Sequence, residues 1–355
     1  MAFTQISNVS IKGMAAVVPD QIISNYNYDF LSEKERNAII QSTGIKERRF
    51  TTKGTCTSDL GVYAAEKLIS AINWNKSDID LLIFISQSRD YILPNTACLL
   101  QHRLGLSKNC MAFDIPLGCS GYTYGLSVAA SLMANGSIKK SILIAGDVSS
   151  YTLSKEDKSV FPLFGDAVTV TLLEYTDNSE DIMSFHLQTD GSGYDAIIIP
   201  DGGTRNMTDY ASLEMKEYEN GTRRTNTNIT LDGMKVFEFS IREVAKNIKQ
   251  LLIHINKEVT DFDFYVFHQA NLLMNETIRK QLKLPTEKVP YSLEKYGNTS
   301  SASIPLTIVT ELNKEVNNES HTFILSSFGV GLSWAAVALK IDKIVCLPLL
   351  EYTIV

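Results

Sequence analysis

The chain nearly repeats itself. Asp80-Leu-Leu-Ile-Phe84 in the first half is matched by Asp263-Phe-Tyr-Val-Phe267 in the second. Gly118-Cys119, a helical run and then Ile142-Leu-Ile144 are matched by Gly297-Asn298, a helical run and then Phe323-Ile-Leu325. The three matches keep one order and one offset, about 180 residues, which is the signature of a duplicated unit. Two copies of such a unit stack as halves related by a pseudo-twofold axis, residues 1–178 and 179–355 here.

The repeated unit is α/β. Short apolar runs of strand length alternate with amphipathic runs of helical period. Strands are predicted at Asp80–Ser86, Ser141–Ala145, Ala167–Leu173, Phe262–His268, Thr322–Ser326 and Ala335–Lys340. Several are apolar on both faces, as strands covered by helices on two sides should be. Leu60, Ala64, Leu68 and Ala71 recur at helical spacing, with Thr57 or Ser58 available as cap. Gly121–Met133 reads as a second helix, rich in small residues and therefore buried. The polar stretch 201–230 reads as a surface excursion.

Composition excludes several classes. The net charge is −7, so the positive excess of a general nucleic-acid binder is missing. Five scattered Cys form no CxxC pair, which supports neither a disulfide framework nor a zinc site. Reduced thiols fit a cytoplasmic protein. No apolar run approaches the ~20 residues that span a bilayer, and the first residues lack the pattern of a signal peptide. Gly191-Ser-Gly-Tyr-Asp-Ala196 matches a dinucleotide fingerprint by letter, but Ile197-Ile-Ile-Pro200 follows it where a helix is needed.

Three residues carry the chemistry. Cys119 stands after a strand and Gly118, at the start of a helix. The positive end of the helix dipole favours the thiolate there, hence a nucleophile. A lone Cys before a helix is more often a small buried residue, and Cys56, Cys98, Cys110 and Cys346 keep that reading. His268 closes an apolar strand, at the edge where open α/β sheets hold their sites. Asn298, in Tyr296-Gly-Asn-Thr-Ser-Ser-Ala-Ser-Ile-Pro305, would by itself be a turn or cap residue. The duplication changes this reading. It sets Cys119 and Asn298 at equivalent points of two halves, facing each other near the centre, with His268 beside them.

The segments GCSGYTYG, FHQAN, YGNTSSASIP and SSFGVGLSW closely resemble those of β-ketoacyl-acyl-carrier-protein synthase III, a thiolase-like condensing enzyme. Ser42-Thr-Gly-Ile-Lys-Glu-Arg-Arg49 and Phe164-Gly-Asp-Ala167 resemble that family as well. The resemblance implies a thiolase-like fold, an αβαβα five-layer sandwich, and a homodimer. It implies that Cys119 takes an acyl group from a thioester. His268 and Asn298 would then hydrogen-bond the carbonyl of malonyl-acyl carrier protein as carbon dioxide leaves. The N–H groups of Cys119 and Gly331 would form the oxyanion hole. Leu93, Phe164, Asn271 and Phe328 would contact substrate, Leu93 reaching the pocket of the partner subunit. Lys235, Arg279 and Lys280 would dock the carrier protein. No metal or organic cofactor is expected, since decarboxylation generates the nucleophile.

The chain departs from the family at the site for coenzyme A. The aromatic and arginine that sandwich the adenine align with Ala38 and Lys158, and a further arginine aligns with Leu273. A basic residue at the tunnel mouth aligns with Glu238. These changes point to a donor other than acetyl-coenzyme A and to a specialised lipid or secondary-metabolite pathway. Relatives that need a Glu base are unsupported, because Ser86-Gln-Ser-Arg-Asp90 holds none. Two alternatives stay open: plain acyl transfer from Cys119 to an alcohol or amine, and an inactive partner subunit. The apolar tail 341–355 is expected to add a strand or to cover a dimer surface.

Overall fold

The computed structural model describes residues 2–218 and 221–353. Two sheets form its frame. The first is seven-stranded and runs from the tail strands through Val9–Pro19, Ala167–Tyr175, Lys140–Asp147 and Leu81–Ile85 to Met111–Ile115. The second is five-stranded, in the order Ala2–Ile6, Met183–Thr189, Ser333–Ile341, His321–Gly329 and Phe264–Phe267. From Val9–Pro19 to Leu81–Ile85 the pairings run antiparallel, antiparallel, parallel. From Met183–Thr189 to Phe264–Phe267 they run antiparallel, antiparallel, parallel again. The repeat read in the sequence is therefore a repeat of sheet topology.

Side-chain alternation shows why each sheet is covered on both faces. In Val9–Pro19, Met14, Ala16 and Val18 join one buried cluster, while Ala15 and Val17 join another. In His321–Gly329, Phe323 and Leu325 face the first cluster and Ile324 faces a third. The shared cluster holds the helices Gly121–Met133 and Ser303–Glu311, which fill the space between the sheets. Helices Thr57–Ala71 and Thr96–Arg103 cover the outside of the first sheet. Gly233–His254 and Leu272–Gln281 cover the outside of the second. The result is five layers, αβαβα.

Two segments cross the division at 178/179. Ala2–Ile6 pairs with Met183–Thr189 in the second sheet. The tail strands Val345–Cys346 and Leu350–Tyr352 lie parallel to Val9–Pro19 in the first. The tail thus caps an open sheet edge, which would otherwise expose unpaired backbone groups. Tyr352 packs edge-on against Tyr63, and Glu351 pairs with Arg49 at 3.0 Å.

One local expectation needs correction. The cap of helix Thr57–Ala71 is Cys56, whose N–H donates to Asp59 at 2.7 Å. Thr57 and Ser58 lie inside the first turn, where their hydroxyls are drawn to Ser88 and Asp90 at 2.7 and 2.6 Å.

The middle layer should carry much of the stability. Leu126 is fully buried within it. Leu126→Ala is expected to cost about 2–5 kcal/mol, read as a lower midpoint in chemical unfolding.

Candidate active site

The site forms where the two middle helices begin. Cys119 follows strand Met111–Ile115 through a short loop and precedes helix Gly121–Met133. Asn298 follows Gly297, whose φ of +64° makes the turn toward the Ser303–Glu311 helix. The two approaches nearly touch. A Cβ on Gly118 would lie 3.2 Å from Ser300 Oγ, and one on Gly121 would lie 3.4 Å from Ser301 Cβ. Glycine is required at both positions by nearer neighbours: a Cβ on Gly118 would run into the Gln87 side chain, and one on Gly121 would lie 2.6 Å from Ile85 Cγ2. His268 enters from the end of strand Phe264–Phe267. Cys119, His268 and Asn298 are all buried and line one cavity of about 490 Å³. Phe164, Asn271 and Phe328 line it too.

Neighbours fix each functional group. Asn298 accepts the Ser300 N–H on Oδ1 at 2.9 Å, which aims its NH₂ elsewhere. Its backbone is clamped by Phe164-Gly-Asp166: Asn298 N donates to Leu163 O at 2.9 Å and Gly165 N donates to Asn298 O at 3.0 Å. Asp166 anchors the clamp by accepting from Thr51 and Ser150. The His268 backbone N–H donates to Ser326 O at 2.8 Å, and the ring stands edge-on to Phe328 at 5.5 Å. Its Nδ1 lies 2.7 Å from Ser303 Oγ.

Electrostatics in this pocket follow from the burial of its groups. Burial pushes the Cys119 thiol up to about 11, and buried Asp147 pushes it the same way. The Val330 N–H, the Ser300 hydroxyl and the Cys119 N–H pull it down. The thiolate expected from the helix dipole is therefore not the resting state. A helix N-terminus contributes about 0.3–1 kcal/mol in most settings, less than the desolvation it opposes here. Burial also holds the His268 imidazole down at about 3, against a main-chain hydrogen bond with Ser300. The resting pair is a neutral thiol and a neutral ring.

The structure relocates one predicted group. Val330, not Gly331, turns its N–H onto the Cys119 sulfur. Gly331 is exposed. Val330–Leu332 is the tight turn between paired strands, with Gly329 opposite Ser333. Gly329 is required beside it: a Cβ there would lie 2.9 Å from Cys119 Sγ.

The remaining predicted residues are dispersed. Asn271 caps helix Leu272–Gln281, its Oδ1 accepting from Met274 N at 2.9 Å. Leu93 lies outside the cavity, 80% exposed beside Tyr91 and Ile92. Lys235 pairs with Asp195 at 3.3 Å on the surface. Arg279 is turned inward onto Glu276 and Leu284 O, so its charge is already engaged. Lys280 is exposed. Among the described residues no group of His, Cys, Asp and Glu is arranged to hold a metal ion, and no helix is long and apolar enough to cross a membrane. Sequence reasoning missed Val330 and Ser303. Neither has a spacing signal, because their roles depend on a turn and on one rotamer.

Comparison with known proteins gives the family of the chain. The profile of 3-oxoacyl-[acyl-carrier-protein] synthase III matches residues 113–191, and that of its C-terminal part matches residues 252–341. A Campylobacter jejuni protein is 34% identical over 99% of both chains. The β-ketoacyl-[acyl-carrier-protein] synthase III of Clostridioides difficile is 32% identical, covering 94% of this chain and 98% of its own. The chain belongs to the 3-oxoacyl-[acyl-carrier-protein] synthase III family. The crystal structure of 3-oxoacyl-(acyl-carrier protein) synthase from Burkholderia xenovorans superposes with a TM-score of 0.93, at 33% identity and 99% coverage of both chains. The fold is thus the thiolase-like sandwich, and the chain is a condensing acyltransferase.

Two outcomes test the electrostatics. Alkylation of Cys119 by iodoacetamide should accelerate about tenfold per pH unit from pH 7 to 9, with no plateau near neutrality. The ring of His268 should show no protonation by NMR between pH 5 and 8. Because its folded pKa is depressed, the unfolded chain binds a proton that the folded chain refuses. Stability should therefore fall as pH drops from about 6.5 toward 3, and His268→Gln should remove that component.

Proposed function

We propose that the chain carries out a decarboxylative Claisen condensation through an acyl-Cys119 intermediate. The observation that carries this reading is one cavity lined by a buried thiol and two buried neutral donor side chains, His268 and Asn298. In the first half-reaction the Cys119 sulfur attacks an acyl thioester. The new S–C bond replaces the old one, and the departing thiolate takes the thiol proton. In the second, malonyl-acyl carrier protein loses carbon dioxide, and the electron pair of the broken C–C bond moves into an enolate. Its oxygen is met by the His268 ring N–H and the Asn298 NH₂. The carbanion attacks the acyl carbon, and the oxyanion forms against the N–H groups of Cys119 and Val330. Collapse releases Cys119, which takes up a proton, and a β-ketoacyl carrier protein. A neutral imidazole suits a donor to developing charge. No step calls for a metal or organic cofactor.

The donor proposal rests on the cavity mouth. Ala38 is exposed on helix Glu33–Thr43, Leu273 is 54% exposed, and Lys158 is drawn to Glu35 at 3.6 Å. A nucleotide finds neither stacking face nor free guanidinium at these positions. An acyl group carried on a protein suits this mouth better than acetyl-coenzyme A, in keeping with a specialised lipid or secondary-metabolite pathway. Lys280 supplies exposed positive charge for carrier docking, and Lys235, exposed but paired with Asp195, would have to exchange that partner for the carrier. The proposal includes a cytoplasmic homodimer, with Leu93 projecting toward the partner subunit and Met111–Ile115 as the open sheet edge.

The test is carbon dioxide release from malonyl-carrier protein by the purified chain. His268→Ala and Asn298→Ala should each lose about 10²- to 10³-fold, the scale of removing one donor from a developing oxyanion. Release undiminished in both variants would contradict the mechanism. Acyl-carrier donors should label Cys119 faster than acyl-coenzyme A of the same chain, and the reverse order would contradict the donor proposal.

A further inference from the structure

His268 meets two partners inside the protein, the Ser300 main chain, which takes a ring proton, and the Ser303 hydroxyl at Nδ1, and the Nδ1 partner determines where the proton sits. Ser303 is 1% exposed, at the first position of the Ser303–Glu311 helix. Its Oγ lies 2.7 Å from His268 Nδ1. The same oxygen accepts the backbone N–H of Gln269 at 3.3 Å. Among the described residues, no third hydrogen bond reaches it. The Ser303 N–H goes to the Ser300 carbonyl, and the Ser303 carbonyl accepts from Thr307 at 2.8 Å.

The hydroxyl has a single proton to donate. Gln269 N is a donor and cannot receive it. His268 Nδ1 is the remaining acceptor. With Nδ1–H instead, Ser303 would receive two donors and its own buried proton would be stranded. We propose that Ser303 is a positioning residue that sets the tautomer of His268, keeping Nδ1 bare and the ring proton on Nε2. The base of this arrangement is rigid. Gln269 Nε2 donates to Phe267 O at 2.8 Å, Ser292 N donates to Gln269 Oε1 at 3.0 Å, and Asn275 Nδ2 donates to His268 O at 3.1 Å. The consequence is chemical: His268 offers the cavity a proton donor rather than a lone pair. That deepens, and rests on, the condensing reaction proposed above, in which the ring must donate to an enolate oxygen.

The experiment uses the full chain labelled with ¹⁵N-histidine, observed by long-range ¹H–¹⁵N correlation at pH 7. The wild type is expected to show the Nε2–H tautomer alone at His268. Ser303→Ala is expected to show a mixture of both tautomers. Its malonyl-dependent turnover should fall about tenfold or more, while acylation of Cys119 stays within about twofold. Ser303→Thr keeps the hydroxyl and should restore both the single tautomer and the turnover. An Nδ1–H ring in the wild type, or an unchanged Nε2–H ring in Ser303→Ala, would overturn the proposal. The spectra need no substrate, so a failed condensing reaction and a failed tautomer assignment are told apart. If Ser303→Ala does not fold, the wild-type and Ser303→Thr spectra still decide.

Discussion

Everything in this molecule depends on two helices pressed between two sheets. Gly121–Met133 and Ser303–Glu311 bury their sides in one apolar cluster shared by both halves. Their starting points meet at Gly118 and Gly121, where the Gln87 and Ile85 side chains leave no room for a Cβ and Ser300 and Ser301 pack alongside. That contact brings Cys119 and Asn298, from points far apart in the chain, to one spot. The sheets add His268 from one strand end and Phe328-Gly329-Val330 from another. Packing therefore sets the geometry of the site before any polar interaction acts.

The same packing sets the chemistry. A cavity this buried disfavours charge on any resting group, so thiol and imidazole both stay neutral. Charge appears only during reaction, on a sulfur, an enolate oxygen and a tetrahedral oxyanion. In the proposed reaction each of these meets N–H groups: Val330 and Cys119 for the sulfur and oxyanion, His268 and Asn298 for the enolate. Such dipoles are worth more in a dry cavity than in water and need no reorganisation. The buried Phe164-Gly-Asp166 clamp and the Ser303 hydroxyl hold two of these donors in place.

The fold was largely legible because duplication leaves its mark at a fixed offset. The paired strands Leu81–Ile85 and Phe264–Phe267 and the helix Gly121–Met133 were readable from apolar pattern alone. The gathering of Cys119, His268 and Asn298 followed from the repeat, sharpened by family resemblance. Other features were not legible, for physical reasons. The helix-dipole argument for a Cys119 thiolate ignored burial, which only the packed structure reveals. The main-chain hydrogen bond to the Cys119 sulfur comes from Val330 rather than Gly331, and the Phe328-Gly-Val-Gly331 pattern does not tell the two apart. The inward turn of Arg279 depends on Glu276 and Leu284, a local contact that a count of basic residues cannot show. That the tail adds a strand is among the sequence expectations, but its partner Val9–Pro19 is seen only where that strand's edge lies open in the fold.

The central claim is that Cys119 is acylated and then unloaded by a malonyl-derived carbanion at the same site. Intact-protein mass spectrometry tests this most directly. The wild type and Cys119→Ala would be exposed to acyl thioester donors and then chased with malonyl-carrier protein. The account predicts an acyl adduct on the wild type alone, lost on the chase with formation of a β-ketoacyl carrier protein. An adduct that persists through the chase, or one that forms equally on Cys119→Ala, would contradict it.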